Sequence, residues 1–351
     1  MNPIRVYVVD DSVMMRKILA KMINSTPELK LIGEASDPFE ARDFLIKEIP
    51  DVMILDIEMP KMDGLTFLQK IMNHKPFPVL IFSGHAKTGS QVALQALELG
   101  AVDILEKPGD LAKTFDHFKD LIVSKIIMAA KSRVRAKNTS TPAAAVVQKI
   151  SGSDYDSTKC LAVASSTGGT EALKVFFAGF NGWLPPTVVV QHMPKGFTKT
   201  FSEHLTKMFP FEVKEAADGD QLQAGRVLLA PGDFHMEVVK KGLHHVIRLH
   251  QEPPMHGVRP AADYLMKSVA KHFGARSVGV VLTGMGKDGA QGLLDMKNVG
   301  SYNIAQSEST CVVYGMPAAA VNLGAIHKSL DLPEISQHVL NHLKKKSSQA
   351  A

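Results

Sequence analysis

The stretch LAVASSTGGTEAL, residues 161–173, decides how the second half of the chain is read. An apolar run of strand length breaks off into two serines, a threonine and two glycines. Helix-forming residues follow. A strand that turns sharply into a helix is the repeating step of an α/β domain. The segment Ala164-Ser165-Ser166-Thr167-Gly168 also has the form of a G-x-S-x-G nucleophile elbow, with alanine in place of the first glycine. Ser166 stands at its centre. The following helix would offer backbone N–H groups to an oxyanion. Ser165, one residue earlier, should point elsewhere. Small-residue corners also occur without any chemistry, so a serine here counts only if a base and an orienting acid accompany it.

Outward from that corner the same alternation continues. TVVVQH, RVLLAP, SVGVVLT and YNIAQ read as further strands, and the two short runs of HMEVVKKGLHHVIRLH read as a hairpin. In the first half, IRVYVV, VMIL, PVLIF and DILE are strand candidates. DSVMMRKILAKMI, PFEARDFLIKE and GSQVALQALELG carry apolar residues three and four apart, as helices do. The expected fold class is α/β: two doubly wound parallel-sheet domains, the second with an antiparallel hairpin. The expected limits are 1–125 for the first domain, 126–158 for a linker and 159–346 for the second domain. The linker stretch is rich in charge, Ser, Thr and Ala and has no sustained period. The tail KKKSSQAA is expected to lack structure.

The 351 residues suffice for two domains of ordinary size. Two cysteines, Cys160 and Cys311, in a chain this long point to a reducing compartment and exclude a disulfide framework. No apolar run reaches the length of a membrane span, and the N-terminus meets acid too early for a signal peptide. The expectation is a soluble, cytoplasmic protein without direct membrane insertion. The net charge of +5 lies largely in KSRVRAK (131–137) and KKK (344–346). A nucleic-acid footprint needs basic residues on a folded face, so no nucleic-acid partner is expected.

In the first domain the polar residues fall where apolar runs end. Asp10 and Asp11 follow IRVYVV, Asp56 ends VMILD, Ser83 ends PVLIFS, and Lys107 follows DILE. Ligands of an open parallel sheet bind at the carboxyl ends of its strands. Three carboxylates gathered there repel one another and need a cation, and an oxygen donor set suits Mg²⁺. A carboxylate beside that ion can take a phosphoryl group. A hydroxyl and an ammonium would then hold the phosphoryl oxygens. Asp56, Ser83 and Lys107 supply those parts.

In the second domain His192, after TVVVQ, and Asp288, after SVGVV, lie at strand ends and are compatible with one cleft around Ser166. A rival reading exists. Gly284, Gly286 and Gly289 have dinucleotide-binding spacing, with Glu308 about twenty residues later. Against it, Asp288 would put a carboxylate in the loop that must hold a pyrophosphate, and the motif comes late in the domain. His244, His250 and His256 recur at even spacing. A metal site there is conceivable, although a solvated hairpin face is the more common cause.

VVDDS, LDIEMPKMDG, FSG and EKP stand in order over about 1–125, and that set resembles the receiver domain of two-component response regulators. The resemblance implies a flavodoxin-like domain with Asp56 as phosphoacceptor. Asp10, Asp11, Asp56 and the backbone carbonyl of Glu58 would form the Mg²⁺ site, with Ser83 and Lys107 as switch residues. Ile104 stands where that family usually has an aromatic residue. STGGTEA, QHMPKGF, APGDFHME, LTGMGKDGA and CVVYGMP follow in order. With the receiver in front, the chain resembles the chemotaxis response regulator protein-glutamate methylesterases. That resemblance implies a Rossmann-like catalytic domain and a triad of Ser166, His192 and Asp288, with Met285 beside it and no cofactor for the esterase. It implies hydrolysis of glutamate methyl esters, and deamidation of glutamines, on chemoreceptor cytoplasmic domains. A chemotaxis histidine kinase would be the phosphodonor. The unphosphorylated receiver would cover the active site. Ala164-Ser165 replaces the family's usual Gly-Ala, and Val258-Arg259-Pro260-Ala261 replaces its His-Arg-Pro-Ser. The alternatives are a phosphorylation-gated binding protein with a weak or lost esterase, and a dinucleotide-binding oxidoreductase.

Overall fold

The computed structural model describes residues 2–59, 63–84, 87–107, 111–132, 134, 154–180 and 182–345. The chain falls into two compact units, Met1–Thr141 and Pro142–Ala351.

The first unit is a five-stranded sheet of β1 (Ile4–Val9), β2 (Leu29–Ala35), β3 (Val52–Asp56), β4 (Val79–Ser83) and β5 (Asp103–Glu106), in the order β2-β1-β3-β4-β5. Every pairing is parallel. The helices α1 (Val13–Asn24), α2 (Pro38–Leu45), α3 (Gly64–His74), α4 (Lys87–Leu99) and α5 (Leu111–Ala130) alternate with the strands. Local sequence sets the helix starts. Ser12 caps α1 at Met15 N, Asp37 caps α2 at Phe39 N and Glu40 N, and Asp63 caps α3 at Thr66 N. All residues of β3 and β4 are buried, as strands covered on both faces require.

The second unit has a seven-stranded sheet. Its strands are β6 (Cys160–Ser165), β7 (Thr187–Gln191), β8 (Glu212–Glu215), β9 (Arg226–Leu229), β12 (Ser277–Val281), β13 (Tyr302–Gln306) and β14 (Lys328–Leu330). The order is β14-β13-β12-β6-β7-β9-β8, again parallel throughout. The expected hairpin is β10 (His235–Lys241) paired antiparallel with β11 (His244–His250). The helices are α6 (Gly169–Ala178), α7 (Phe197–Met208), α8 (Ala262–Phe273), α9 (Ala290–Asn298), α10 (Met316–Asn322) and α11 (Leu332–Leu343). Core residues from β6 and β7 pack with Met236, Val238 and Ile247 of the hairpin and with Leu265, Met266, Leu293 and Met296 of α8 and α9. After β9 the chain crosses to β12, which lies beside β6, so the strand order reverses between β6 and β12. Ligands of doubly wound sheets bind at such a switch point.

Helix α5 runs to Ala130. Asp156 N bonds Leu343 O at the end of α11, and Lys345 N bonds Asp154 O. Most of the stretch between lies outside the described residues, as does most of the tail. Among the described residues no helix is long and apolar enough to cross a membrane. Cys160 and Cys311 are free and buried.

Candidate active site

Three strand ends meet at the switch point. Ser166 follows β6, His192 follows β7, and Asp288 lies in the loop after β12. The last ladder pair of β6 and β7 is Ser165 with Gln191, and His192 N donates to Ser165 O at 3.1 Å. The backbones of Ser166 and His192 are thereby held side by side. His192 Nε2 lies 2.8 Å from Asp288 Oδ2. The imidazole is 11% exposed and the carboxylate 3%, so the pair is shielded from bulk water while Ser166 stays partly open. Ser165 is fully buried, as expected of the serine that turns away.

Asp288 has further partners. Its Oδ2 accepts from Ala262 N at 2.6 Å and its Oδ1 from Asp263 N at 3.0 Å. Ala261 gives α8 no side-chain cap, so Asp288 caps that helix from outside. Burial alone would raise the Asp288 pKa. The hydrogen bond and charge of His192 and the two amides outweigh burial and hold the carboxyl below the usual range. Asp288 is therefore an ionised acceptor that fixes the imidazole.

Small residues make the close approach possible. Gly168 opens α6 with φ 73°, and a Cβ there would lie 2.6 Å from Val312 Cγ2. A Cβ on Gly284 would lie 2.8 Å from Ser166 Cβ. Met285 is the next residue along that loop. Thr283 Oγ1 donates to Thr167 O at 3.0 Å and accepts from Val313 N at 3.0 Å, tying the elbow to the loop before α10.

The other sequence candidates separate. His244 Nδ1 bonds Gln221 Nε2, and His250 packs against His235 and Tyr264. His256 Nε2 lies 2.8 Å from Asp263 Oδ2. The three histidines do not share one site; instead, ligand atoms of His256 lie within 4.8 Å of those of Asp263 and Asp288. The guanidinium of Arg259 is engaged by Asp233 Oδ1 and by the carbonyls of Gln251 and Glu252. In the loop carrying Gly284, Gly286 and Gly289, the Asp288 carboxylate takes the amides of the neighbouring helix. That arrangement serves a buried acid and not a pyrophosphate. Gln191 and Asp263, both polar and buried beside His192 and Asp288, were not singled out from the sequence. The signal for Gln191 was a polar side chain directly after the apolar run Val188–Val190.

In the first unit, the carboxylate oxygens of Asp10, Asp11 and Asp56 lie within 4.8 Å of one another. Lys107 Nζ lies 2.7 Å from Asp56 Oδ2 and 3.1 Å from Asp10 Oδ2. Glu58 N donates to Asp56 Oδ1 at 3.1 Å, and Ser83 is fully buried at the adjacent strand end. Burial pushes the Asp56 pKa up to about 6, although Lys107 pulls it down. Burial alone would lower the Lys107 pKa, but Asp56 and Asp10 raise it. An all-oxygen donor set with excess negative charge fits Mg²⁺. Ile104 is a buried β5 residue.

Residues 161–339 match the model of the CheB methylesterase family, and residues 6–119 match that of the response regulator receiver domain. A protein-glutamate methylesterase/protein-glutamine glutaminase of Bdellovibrio bacteriovorus is 54% identical over 98% of this chain and 99% of its own length. The chain belongs to the CheB methylesterase family. A second family member with the same name, from Salmonella typhimurium, is 43% identical over 97% of each chain. The solved CheB methylesterase catalytic domain of Thermotoga maritima superposes with a TM-score of 0.50 at 36% identity, over 52% of this chain and 97% of that one.

Proposed function

We propose that this chain hydrolyses glutamate γ-methyl esters on methylated chemoreceptor cytoplasmic domains, and deamidates glutamines there, under control of its receiver domain. The observation that carries the reading is the 2.8 Å contact of His192 with Asp288, at a strand end bonded to the one bearing Ser166. His192 takes the proton of Ser166 Oγ, and Oγ attacks the ester carbonyl. Backbone N–H groups at the start of α6 hold the oxyanion. Methanol leaves with the proton returned by His192. Water, deprotonated by the same imidazole, then cleaves the glutamyl ester of Ser166. Asp288 fixes the tautomer and stabilises the imidazolium. For glutamine the leaving group is ammonia. Nothing in this sequence of steps asks for a cofactor.

In the receiver, Asp56 is the proposed phosphoacceptor. Asp10, Asp11, Asp56 and the Glu58 carbonyl would hold Mg²⁺, which when bound neutralises phosphoryl charge. Lys107 and Ser83 read the phosphorylated state, and a chemotaxis histidine kinase supplies the phosphoryl group. The matched segments 6–119 and 161–339 lie inside the proposed limits 1–125 and 159–346. Of the proposed linker 126–158, residues 126–130 belong to α5 and Asp156 bonds the end of α11. The proposed location is the cytoplasm.

The test is methanol release from methylated receptor membranes by the full chain, with and without a small phosphodonor. A coupling of ordinary size raises the rate about 5- to 150-fold. Absence of methanol release would overturn the esterase. Equal rates with and without donor would overturn the control.

A further inference from the structure

We infer that Ser165 and Gln191 are positioning residues, a buried brace that aligns the nucleophile and the base through their backbones. The inference rests on the proposed roles of Ser166 and His192. Ser165 is fully buried and Gln191 is 2% exposed. Ser165 Oγ donates to Gln191 Oε1 at 2.6 Å. Gln191 Nε2 donates to Ser166 O at 2.9 Å and to His192 O at 3.2 Å. One amide thus spends both protons on the carbonyls of the two residues that must exchange a proton.

The orientation of that amide is fixed by its surroundings. A flipped group would set its oxygen against two carbonyl oxygens. The Ser165 hydroxyl rewards the observed orientation, because it needs an acceptor in a site closed to water. Gly169 supplies the space: a Cβ there would lie 2.1 Å from Gln191 Oε1 and 2.8 Å from Ser165 Cβ. The hydroxyl at 165 is therefore a working part of the elbow and not a tolerated extra atom.

The chemistry follows from peptide planarity. The Ser166 carbonyl and the Thr167 N–H belong to one rigid plane. In a nucleophile elbow the N–H after the serine is an oxyanion donor. Holding the Ser166 carbonyl therefore aims that N–H. Holding the His192 carbonyl sets the strand end from which the imidazole reaches Asp288. The Ser165 hydroxyl acts on both through the amide of Gln191.

The test is a double-mutant cycle on the full chain, read as kcat and KM for methanol release. Misplacement of reacting groups by a fraction of an ångström should cost Gln191→Met about 10- to 100-fold in kcat, with KM within about twofold. Ser165→Ala should cost about three- to tenfold in kcat. The double variant should match Gln191→Met alone within about twofold, because the hydroxyl has no other route to the site. A folded Gln191→Met enzyme with normal kcat, or single losses that simply multiply, would overturn the brace. Should Gln191→Met not fold, Ser165→Ala decides alone, and an unchanged kcat would overturn it. Ser166→Ala runs beside these. Its silence with an unaffected Gln191→Met rejects only the brace, while its normal activity rejects the reading beneath.

Discussion

Asp288 shows how much one side chain can be asked to do. Its carboxylate meets His192 and the first two amides of α8, and it does so at 2% exposure. An unpaired buried carboxylate would be protonated, whereas this one is held below its ordinary pKa. A depressed folded value stabilises the folded state at pH above about 4, and the benefit is lost as pH falls below that through the folded value. Acid unfolding of wild type should therefore show a limb that Asp288→Asn lacks. Melting curves from pH 3 to 7 would reveal it, and parallel curves would count against the assignment. The same variant should lower kcat by about 10²- to 10⁴-fold, because the imidazole loses its tautomer. The thiols give a second check. Burial raises Cys311 to about 12 and Cys160 further, so both should resist alkylation until the protein unfolds. Fast labelling of the native protein would contradict their placement.

At the scale of elements, the helices at the site begin without side-chain caps. α6, α7 and α9 start at Gly168, Gly196 and Gly289, with φ of 73°, 88° and 85°. At Gly168 and Gly289 the neighbours also crowd the position: a Cβ would lie 2.6 Å from Val312 Cγ2 and 3.2 Å from Ala262 Cβ. Gly168→Ala should destabilise the domain by about 2–4 kcal/mol, from left-handed strain and the clash with Val312 together. Urea unfolding measures this, and an unchanged midpoint would show that the loop can relax. The main strands and the hairpin were legible because fully buried parallel strands read as unbroken apolar runs. The strands β2, β8 and β14 were not. Each lies at the edge of its sheet, and EVKE and KSL carry too few apolar residues to stand out. The helices α3, α5 and α7 to α11 also went unremarked in the sequence. The residues Ser166, His192 and Asp288 were legible as strand-end groups. What a one-dimensional reading could not supply was the outside cap of α8, since Asp288 and Ala262 are 26 positions apart. The Ser165–Gln191 contact was hidden for the same reason.

The whole molecule pairs two sheets of the same construction for different chemistry. One gathers acids around Lys107, and the other sets an imidazole against a buried acid at a strand end bonded to the one that bears Ser166. Both exploit the carboxyl ends of parallel strands. If Asp56 is the input, Asp56→Asn should keep basal methanol release and lose all response to phosphodonor. Chelating Mg²⁺ should do the same to wild type within minutes. A chelated enzyme that still responds would separate the acid cluster from phosphorylation. The most direct test of the central claim is methanol release by Ser166→Ala against wild type on the same methylated membranes. The account predicts a fall of about 10⁴-fold or more in kcat with an unchanged melting temperature. Near-normal release by the folded variant would contradict it.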